Sequence, residues 1–581
     1  MNEKEAPAGA DTTTTVPSSL RSMSESIEDS PAIARTGSKE APENENEKNG
    51  EGVESKTPFK LSARGFIILA VYMLLTLLVA VDSTAIGAPL PVITAELHGT
   101  TTQAIWTGSS YLLSSAVFLP TIGSLSEIFG RMPLTELSTL LFAVGSIICA
   151  VAHSFTVLII GRTIQGVGGG GILVLTEIIV TDLVPLRERG KYFGYIGAVW
   201  ALGTIVAPIF SSGVTQSSTW RWIFYFNLPI CGIALVLIPI LVRMHLDSST
   251  ILQKIKRIDI IGISVFTASM TSLLLGITFG GVNFPWNSYH VLLPLILGVV
   301  GFAGFCVYEY KVPKDPMIRL AVFSNRSAFI GYIQVLIHGL ILWCLIYYLP
   351  LYYQGVKGYS ALISGVAALP ETITISPMAI ISGILVAKYS HYVYQSWVAW
   401  AFVTLGAGLL YLLKVHTTVG QFIGLNIPIS IGAGILFASL NISVIAPNTN
   451  ENTPYAAAML AFVRVMGQAI GVAIGGSIFA NRLSDKISSD PLLSAFRDNS
   501  QAIALVEVIK HLPESPVKAA LILAFDDAVR LVYIILAAFA GFAFILNIFV
   551  KEYSLDVDYK SKQHVVENNS DAVKNDVSQA V

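Results

Sequence analysis

The sequence has little charge and little cysteine. Of its 581 residues, 13% are charged and 53% are hydrophobic, with a net charge of −2 and a mean hydropathy of +0.65. So low a charged fraction excludes an ordinary soluble protein, and no basic stretch is dense enough to predict nucleic-acid binding. The four cysteines all lie in apolar stretches, so their spacing predicts neither a disulfide framework nor a metal site. The composition therefore predicts an all-α polytopic membrane protein.

Apolar runs of about 20 residues, each long enough to cross a bilayer, occur about fourteen times along the chain. They predict two six-helix halves, 66–242 and 327–550, with an additional helix pair at 258–310 between them. The second half contains a long outer segment at 479–528 before its last helix. Repeated halves around a site near the membrane midplane are typical of transporters.

The two ends of the chain are polar. Residues 1–60 carry twelve acidic and six basic residues up to Lys56, which predicts a disordered acidic tail. Residues 551–581 form a second predicted tail. The predicted inner loops hold thirteen Lys and Arg residues and the short outer loops hold three, Arg221, Lys357 and Lys414. Because positive residues favour the cytoplasmic side, we expect both tails to be cytoplasmic.

Charged side chains inside apolar helices mark candidate functional sites, because an ion in the membrane needs a partner or water. Four such residues are candidates for proton coupling: Asp82, Arg162, Glu177 and Arg464. Asp82 is the first predicted partner of Arg162, and Glu177, about four turns further along the same helix, is the second. Glu371 is a further intramembrane charge in the second half.

Two motifs predict helix contacts and gating. The loop Gly123-Ser-Leu-Ser-Glu127-Ile-Phe-Gly130-Arg131 places an acid and a base at the inner membrane face. The fifth predicted helix, Gly194 to Gly213, has small residues along one side and a proline in its outer half, which predicts close packing inside a bundle. Its candidate contact residues are Gly194, Gly203, Ala207, Pro208 and Gly213.

These motifs resemble those of the major facilitator superfamily, fourteen-span drug:proton antiporter type. The inner loop is similar to G-x-L-x-D-x-x-G-R, with Glu127 in place of Asp. Gly194 to Gly213 is similar to the antiporter motif G-x8-G-x3-GP-x2-GG, with alanine and serine at some glycine positions. Residues 162–166 match R-x-x-Q-G, and 220–229 match W-R-W-x-F-x-x-N-x-P, whose residues we interpret as structural.

The resemblance implies a major facilitator fold of two six-helix halves plus two additional helices. It also implies proton-coupled efflux of small hydrophobic compounds, such as drugs or fungal toxins. Expected partners are the substrate, protons and the lipid bilayer, with no nucleic acid, no cofactor and no metal, and we expect a monomer. Aromatic candidates for the substrate cavity are Trp106, Tyr111, Trp200, Trp343 and Tyr347.

Several alternatives remain open. The same fold could carry a siderophore or an amino acid, and a transport-silent membrane sensor is a second class. The glycines from Gly166 to Gly171 satisfy the dinucleotide pattern G-x-G-x-x-G, but they lie in a membrane helix without a surrounding βαβ unit. No nucleophile–base pair predicts an enzyme. The expected location is the plasma membrane, with the vacuolar membrane as the alternative.

Overall fold

The computed structural model describes residues 61–87, 89–98, 101–241, 250–281, 284–313, 316–496 and 505–555. Within these ranges it contains fourteen helices long and apolar enough to cross a membrane, as the sequence predicts. The predicted tail 1–60 and most of the tail 551–581 lie outside the described residues.

The first half contains six membrane helices. They are α1 (Ala63–Ala85), α2 (Thr101–Phe129), α3 (Arg131–Ala150), α4 (Phe155–Leu183), α5 (Leu186–Ser217) and α6 (Asn227–Leu241). Short helices at Leu90–Glu96 and Trp222–Tyr225 precede α2 and α6.

The additional pair and the second half supply the other eight. The pair is α7 (Ile260–Phe279) and α8 (Tyr289–Lys311). The second half contains α9 (Arg326–Gly355), α10 (Leu369–Tyr389), α11 (Tyr392–Leu410), α12 (Val419–Ile445), α13 (Thr453–Ser489) and α14 (Pro516–Leu546). Shorter helical segments lie at Ile251–Lys256, Leu320–Phe323, Ala361–Ala367, Pro491–Phe496, Leu505–His511 and Asn547–Phe549.

The two halves meet at four helix pairs. Helix α5 packs on α10 and α12, while α13 packs on α2 and α4. The additional helix α7 packs on α2 and α13, and α8 packs mainly on α7. The additional pair therefore lies at the edge of the bundle, against one helix from each half.

Glycines allow the closest helix contacts. A Cβ atom at Gly168 would lie 2.5 Å from the Ser138 carbonyl oxygen of α3, and one at Gly170 would lie 2.6 Å from the Ser115 carbonyl oxygen of α2. The glycine run in α4 therefore serves helix packing, as the sequence predicts. Gly130, between α2 and α3, has a φ of 96°, a conformation that favours glycine.

The last membrane helix begins earlier than expected. The sequence predicts a span from 529, whereas α14 begins at Pro516 and α13 continues to Ser489. Asp527 interrupts the apolar run, but its carboxylate accepts a hydrogen bond from Arg482 Nε of α13 at 2.6 Å. The charges are paired between two helices, so the helix continues through them, and much of the expected outer segment 479–528 is helical.

Candidate functional site

Asp82 and Arg162 form a buried ion pair in the first half. Asp82 lies near the end of α1 and Arg162 near the start of α4, and Arg162 Nη1 lies 2.5 Å from Asp82 Oδ2. Both side chains are fully buried. The structure thus brings together Arg162 and its first predicted partner, as a buried charge requires.

Polar side chains surround this pair. Gln165 Nε2 and Asn227 Nδ2 donate hydrogen bonds to Asp82 Oδ1 at 2.9 and 2.8 Å. Both amides also donate to Ser146 Oγ. Hydrogen bonds to a carboxylate favour its charged form. The Asp82 carboxyl group thus accepts hydrogen bonds from three side chains, Arg162, Gln165 and Asn227.

Asn227 is a site residue that sequence reasoning missed. The sequence interpretation treats the motif at 220–229 as structural, whereas Asn227 reaches the Asp82 carboxylate from the start of α6. The available signal is an amide side chain at the beginning of an otherwise apolar helix. Two atoms of the network have no partner: Arg162 Nη2 and Asn227 Oδ1 are buried without a hydrogen bond.

A second ion pair joins the two halves. Arg464 Nη1 of α13 lies 3.0 Å from Glu177 Oε1 of α4, with side-chain exposures of 11% and 7%. Arg464 Nη2 also donates to Asn441 Oδ1 of α12. Glu177 is therefore the partner of Arg464. It does not pair with Arg162, although the sequence predicts it as the second candidate partner of Arg162. The sequence could not show this because the pair joins residues 287 positions apart.

A small cavity lies beside this second pair. Helices from both halves line it, and its residues include Thr76, Thr176, Glu177, Trp200, Phe437, Arg464 and Gln468. Of the five aromatic candidates, Trp200 lines this cavity, and its ring lies 5.9 Å from that of Trp343 on α9. The cavity combines an apolar wall with the ion pair that joins the two halves.

The other aromatic candidates lie elsewhere. The ring of Tyr111 lies 4.3 Å from Arg162 Cζ, so it covers the first ion pair. Trp106 packs edge-on against Phe279 of the additional pair. Tyr347 is 40% exposed. These three residues do not line the cavity beside Glu177.

The segment predicted as a gating loop is helical except at Gly130, because α2 continues to Phe129 and α3 begins at Arg131. Its charges form a third cluster, at the end of the bundle that we call the Arg131 end. Arg131 lies 2.5 Å from Glu127 and 3.0 Å from Asp182 at the end of α4. Asp182 is a further residue absent from the predicted set. A Cβ atom at Gly123, in the last two turns of α2, would lie 2.9 Å from Ala458 Cβ of α13. This end of α2 therefore lies where the halves meet.

The small residues of α5 face two neighbours. A Cβ atom at Gly194 would lie 2.4 Å from the Ala379 carbonyl oxygen of α10, and one at Gly203 would lie 2.5 Å from Ala80 Cβ of α1. Ala207 is fully buried. Pro208 Cβ lies near Gly365, in the short helix before α10.

The packing of α5 is one-sided. Gly213 has open space around it, and the apolar side chains on the other face of α5 are exposed. Helix α5 therefore packs on one side, and Gly213 takes no part in the close contacts.

The opposite end of the first half has an ion pair outside the membrane helices. Glu96 accepts hydrogen bonds from Arg221 Nη1 at 2.5 Å and from Trp220 Nε1 at 2.7 Å. The hydrogen bond from Arg221, and to a smaller extent that from Trp220, lowers the pKa of Glu96 below its ordinary value.

Among the described residues, no group of three His, Cys, Asp or Glu could hold a metal ion.

Curated fungal proteins are similar to this chain over most of their lengths. The MFS transporter L2 of Phoma sp. is 40% identical over 84% of this chain and 82% of its own length. The acurin A biosynthesis cluster MFS-type transporter of Aspergillus aculeatus is 37% identical over 87% and 93%. Efflux pump FUS6 of Gibberella fujikuroi is 33% identical over 86% and 91%.

Solved structures share the fold at low sequence identity. The human organic anion transporter MFSD10 superposes with a TM-score of 0.52 at 14% identity, over 84% of this chain and all of the other. The proton:xylose symporter XylE gives 0.51 at 14% identity, over 78% and 95%. The family model described as Major Facilitator Superfamily matches residues 72–476. The chain is therefore a multi-pass membrane transporter of the major facilitator superfamily.

Proposed function

We propose that this transporter exports small hydrophobic organic compounds in exchange for protons, by alternating access. The observation that carries the proposal is the buried pair Asp82–Arg162. A paired carboxylate inside a membrane helix can take up a proton, and such residues mark proton and substrate pathways. The efflux-pump and biosynthesis-cluster names of the relatives support export of a secondary metabolite.

The proton step would take place at Asp82. A proton from the outer water forms an O–H bond on the carboxylate, which then no longer balances the charge of Arg162. The guanidinium already has one nitrogen without a partner, so loss of its counter-ion requires it to find another partner or water. Release of the proton to the inner side restores the pair and completes the exchange.

Helix α4 would link the proton step to the substrate. It carries both Arg162 and Glu177, and Glu177 holds Arg464 of the other half beside the cavity. A shift of α4 that follows reorganisation at Arg162 changes the pair between the halves. The pair and the cavity would then open together, which is the requirement of alternating access.

The remaining assignments belong to the same proposal. We place the protein in the plasma membrane as a monomer, with both tails and the Arg131 end on the cytoplasmic side. The close contact of α5 with α10 near Gly194, and of α2 with α13 near Gly123, would then close the inner side in this conformation. The halves would be 66–242 and 327–550, with the additional pair at 258–310.

Dye efflux from yeast cells that lack their own pumps tests this function. The unaltered protein should lower accumulation of a fluorescent hydrophobic dye, and an uncoupler should abolish the effect. At equal expression, Arg162→Ala should not lower dye accumulation. Thr163→Ala, on the exposed face of the same turn, should lower it as the unaltered protein does. Uncoupler-insensitive efflux would contradict proton coupling, and equal efflux by Arg162→Ala would contradict the placement of the site.

A further inference from the structure

Glu371 is a buried acid that the proposed mechanism does not use. It lies in the first turn of α10, in the second half, and is 2% exposed. Its Oε1 atom is buried without a hydrogen bond. No Lys, Arg or His within the described residues forms an ion pair with it, whereas Asp82 and Glu177 each have an arginine.

Its neighbours are neutral at physiological pH. The titratable side chains close enough to interact electrostatically with Glu371 are Tyr353 of α9 and Tyr533 of α14. Helix α12 and the short helix Ala361–Ala367, which also pack beside α10, contain no titratable residue, and those of α5 lie at the Arg131 end. No positive charge near Glu371 therefore offsets a carboxylate.

One polar group that interacts with Glu371, the Tyr353 hydroxyl, belongs to a network with unused hydrogen-bonding capacity. Asn426 of α12 donates from Nδ2 to the Tyr353 hydroxyl at 3.2 Å, and its Oδ1 is left without a donor. The Tyr533 hydroxyl is also buried without a partner. No side chain of this network donates a hydrogen bond to Glu371, whose Oε1 atom is without a partner. A buried neutral acid costs less than a buried carboxylate without such bonds, so these surroundings suit the protonated form.

The contrast with Asp82 is the core of the argument. The Asp82 carboxyl group receives hydrogen bonds from Arg162, Gln165 and Asn227, one of them a charged partner. Glu371 receives none, and burying an unpaired carboxylate costs far more than burying a neutral acid. Because their environments differ in this way, we expect the two acids to bind and release protons at different steps of the transport cycle.

The position of Glu371 connects it to the movement of the halves. The helix is interrupted at Ala368, just before Glu371, and Gly365 of the preceding short helix packs on Pro208 of α5. Separation of α5 from this broken helix would bring water to the carboxyl group. This contact lies in the outer half of α5, so its opening would let the carboxyl group exchange protons with the outer water.

We propose that Glu371 is a second proton-binding site, in the second half of the transporter, which is occupied in this conformation and is filled from the outer water when the contact between α5 and the broken helix opens. The proton comes from the outer water, forms an O–H bond on the Glu371 carboxyl group and leaves to the inner side later in the cycle. The protonation itself follows from the local structure. Its part in transport rests on the proposed proton-coupled export.

Infrared spectroscopy of the purified full-length protein in lipid nanodiscs tests the protonation directly. At neutral pH the carbonyl band of protonated carboxyl groups should lose intensity in Glu371→Gln. It should stay unchanged in Glu514→Gln, whose side chain is 91% exposed. Glu371→Asp, which keeps the acid, should shift the band, and it provides a second readout if the glutamine variant does not fold. A band that is the same in all four proteins would overturn the proposal.

Transport by the same proteins in liposomes tests the coupling. Glu371→Gln should slow proton-driven export about tenfold, within the range of couplings that single residues carry, with dye affinity unchanged. If Glu371→Gln loses the infrared band but exports normally, the transport role is refuted. If the unaltered protein shows no proton-driven export, the proposed function fails, whereas the infrared result still decides whether Glu371 binds a proton.

Discussion

Replacement of Glu177 by glutamine should weaken the closed contact between the halves. In this conformation Glu177 is the charged partner of Arg464, and both side chains are almost fully buried. Loss of the charge leaves Arg464 with two neutral contacts, the side-chain oxygen of Asn441 and the ring of Phe437. The centroid of that ring lies 5.5 Å from Arg464 Cζ. A conformation in which water reaches Arg464 is then favoured.

The size of the effect follows from the burial of the pair. Breaking a buried ion pair by removing one partner costs about 3–5 kcal/mol. Glutamine keeps an oxygen that can accept from Arg464, so we expect about 2 kcal/mol, close to the worth of one hydrogen bond to a charged group. Such a change shifts an equilibrium between two conformations about thirtyfold.

Distances between spin labels on the two halves measure this shift. Leu137 of α3 and Tyr394 of α11 are exposed positions near the Arg131 end, and each can carry a label once the four native cysteines are replaced. Glu177→Gln should populate longer distances than the unaltered protein. Glu136→Gln, an acid of the first half that is not part of the pair, is the matched control. Identical distance distributions in all three proteins would refute the reasoning.

Two further predictions concern the helix contacts and the outer ion pair. Gly194→Ala places a methyl group 2.4 Å from the Ala379 carbonyl oxygen, so it should destabilise the α5–α10 contact by about 1–3 kcal/mol and lower the melting temperature, whereas Gly213→Ala, in open space, should not. Arg221 lowers the pKa of Glu96, so Glu96 stabilises the fold above its ordinary pKa of 4.5 and this contribution is lost as pH falls through the lower folded value. The melting-temperature difference between the unaltered protein and Glu96→Gln should therefore be larger at pH 7 than near pH 3, and a constant difference would contradict it.

Much of the fold could be predicted because it depends on properties of single helices. Apolar length predicts the fourteen spans, and the charge of Arg162 in a membrane helix predicts an acidic partner, which Asp82 supplies. The partner of Glu177 could not be predicted, because it depends on how α4 and α13 of different halves align. Asn227 was missed for the same reason: its role depends on the rotation of α6 toward Asp82.

The start of α14 shows a different limit. The apolar run alone places the start of the last span after Asp526 and Asp527, although α14 extends back to Pro516. In the structure, Asp527 pairs with Arg482 of α13. The hydropathy of a single segment cannot predict an ion pair with another helix. Sequence patterns thus identify which charges need partners, while packing decides which partners they obtain.

Proton and substrate movement in liposomes that contain the purified protein tests the central claim most directly. An imposed proton gradient should drive a hydrophobic dye against its own gradient, and a dye gradient should drive protons in the opposite direction. In Asp82→Asn, which cannot take up the proton, both coupled movements should be lost while exchange of dye for dye continues. Dye transport by the unaltered protein without any proton movement would contradict the account.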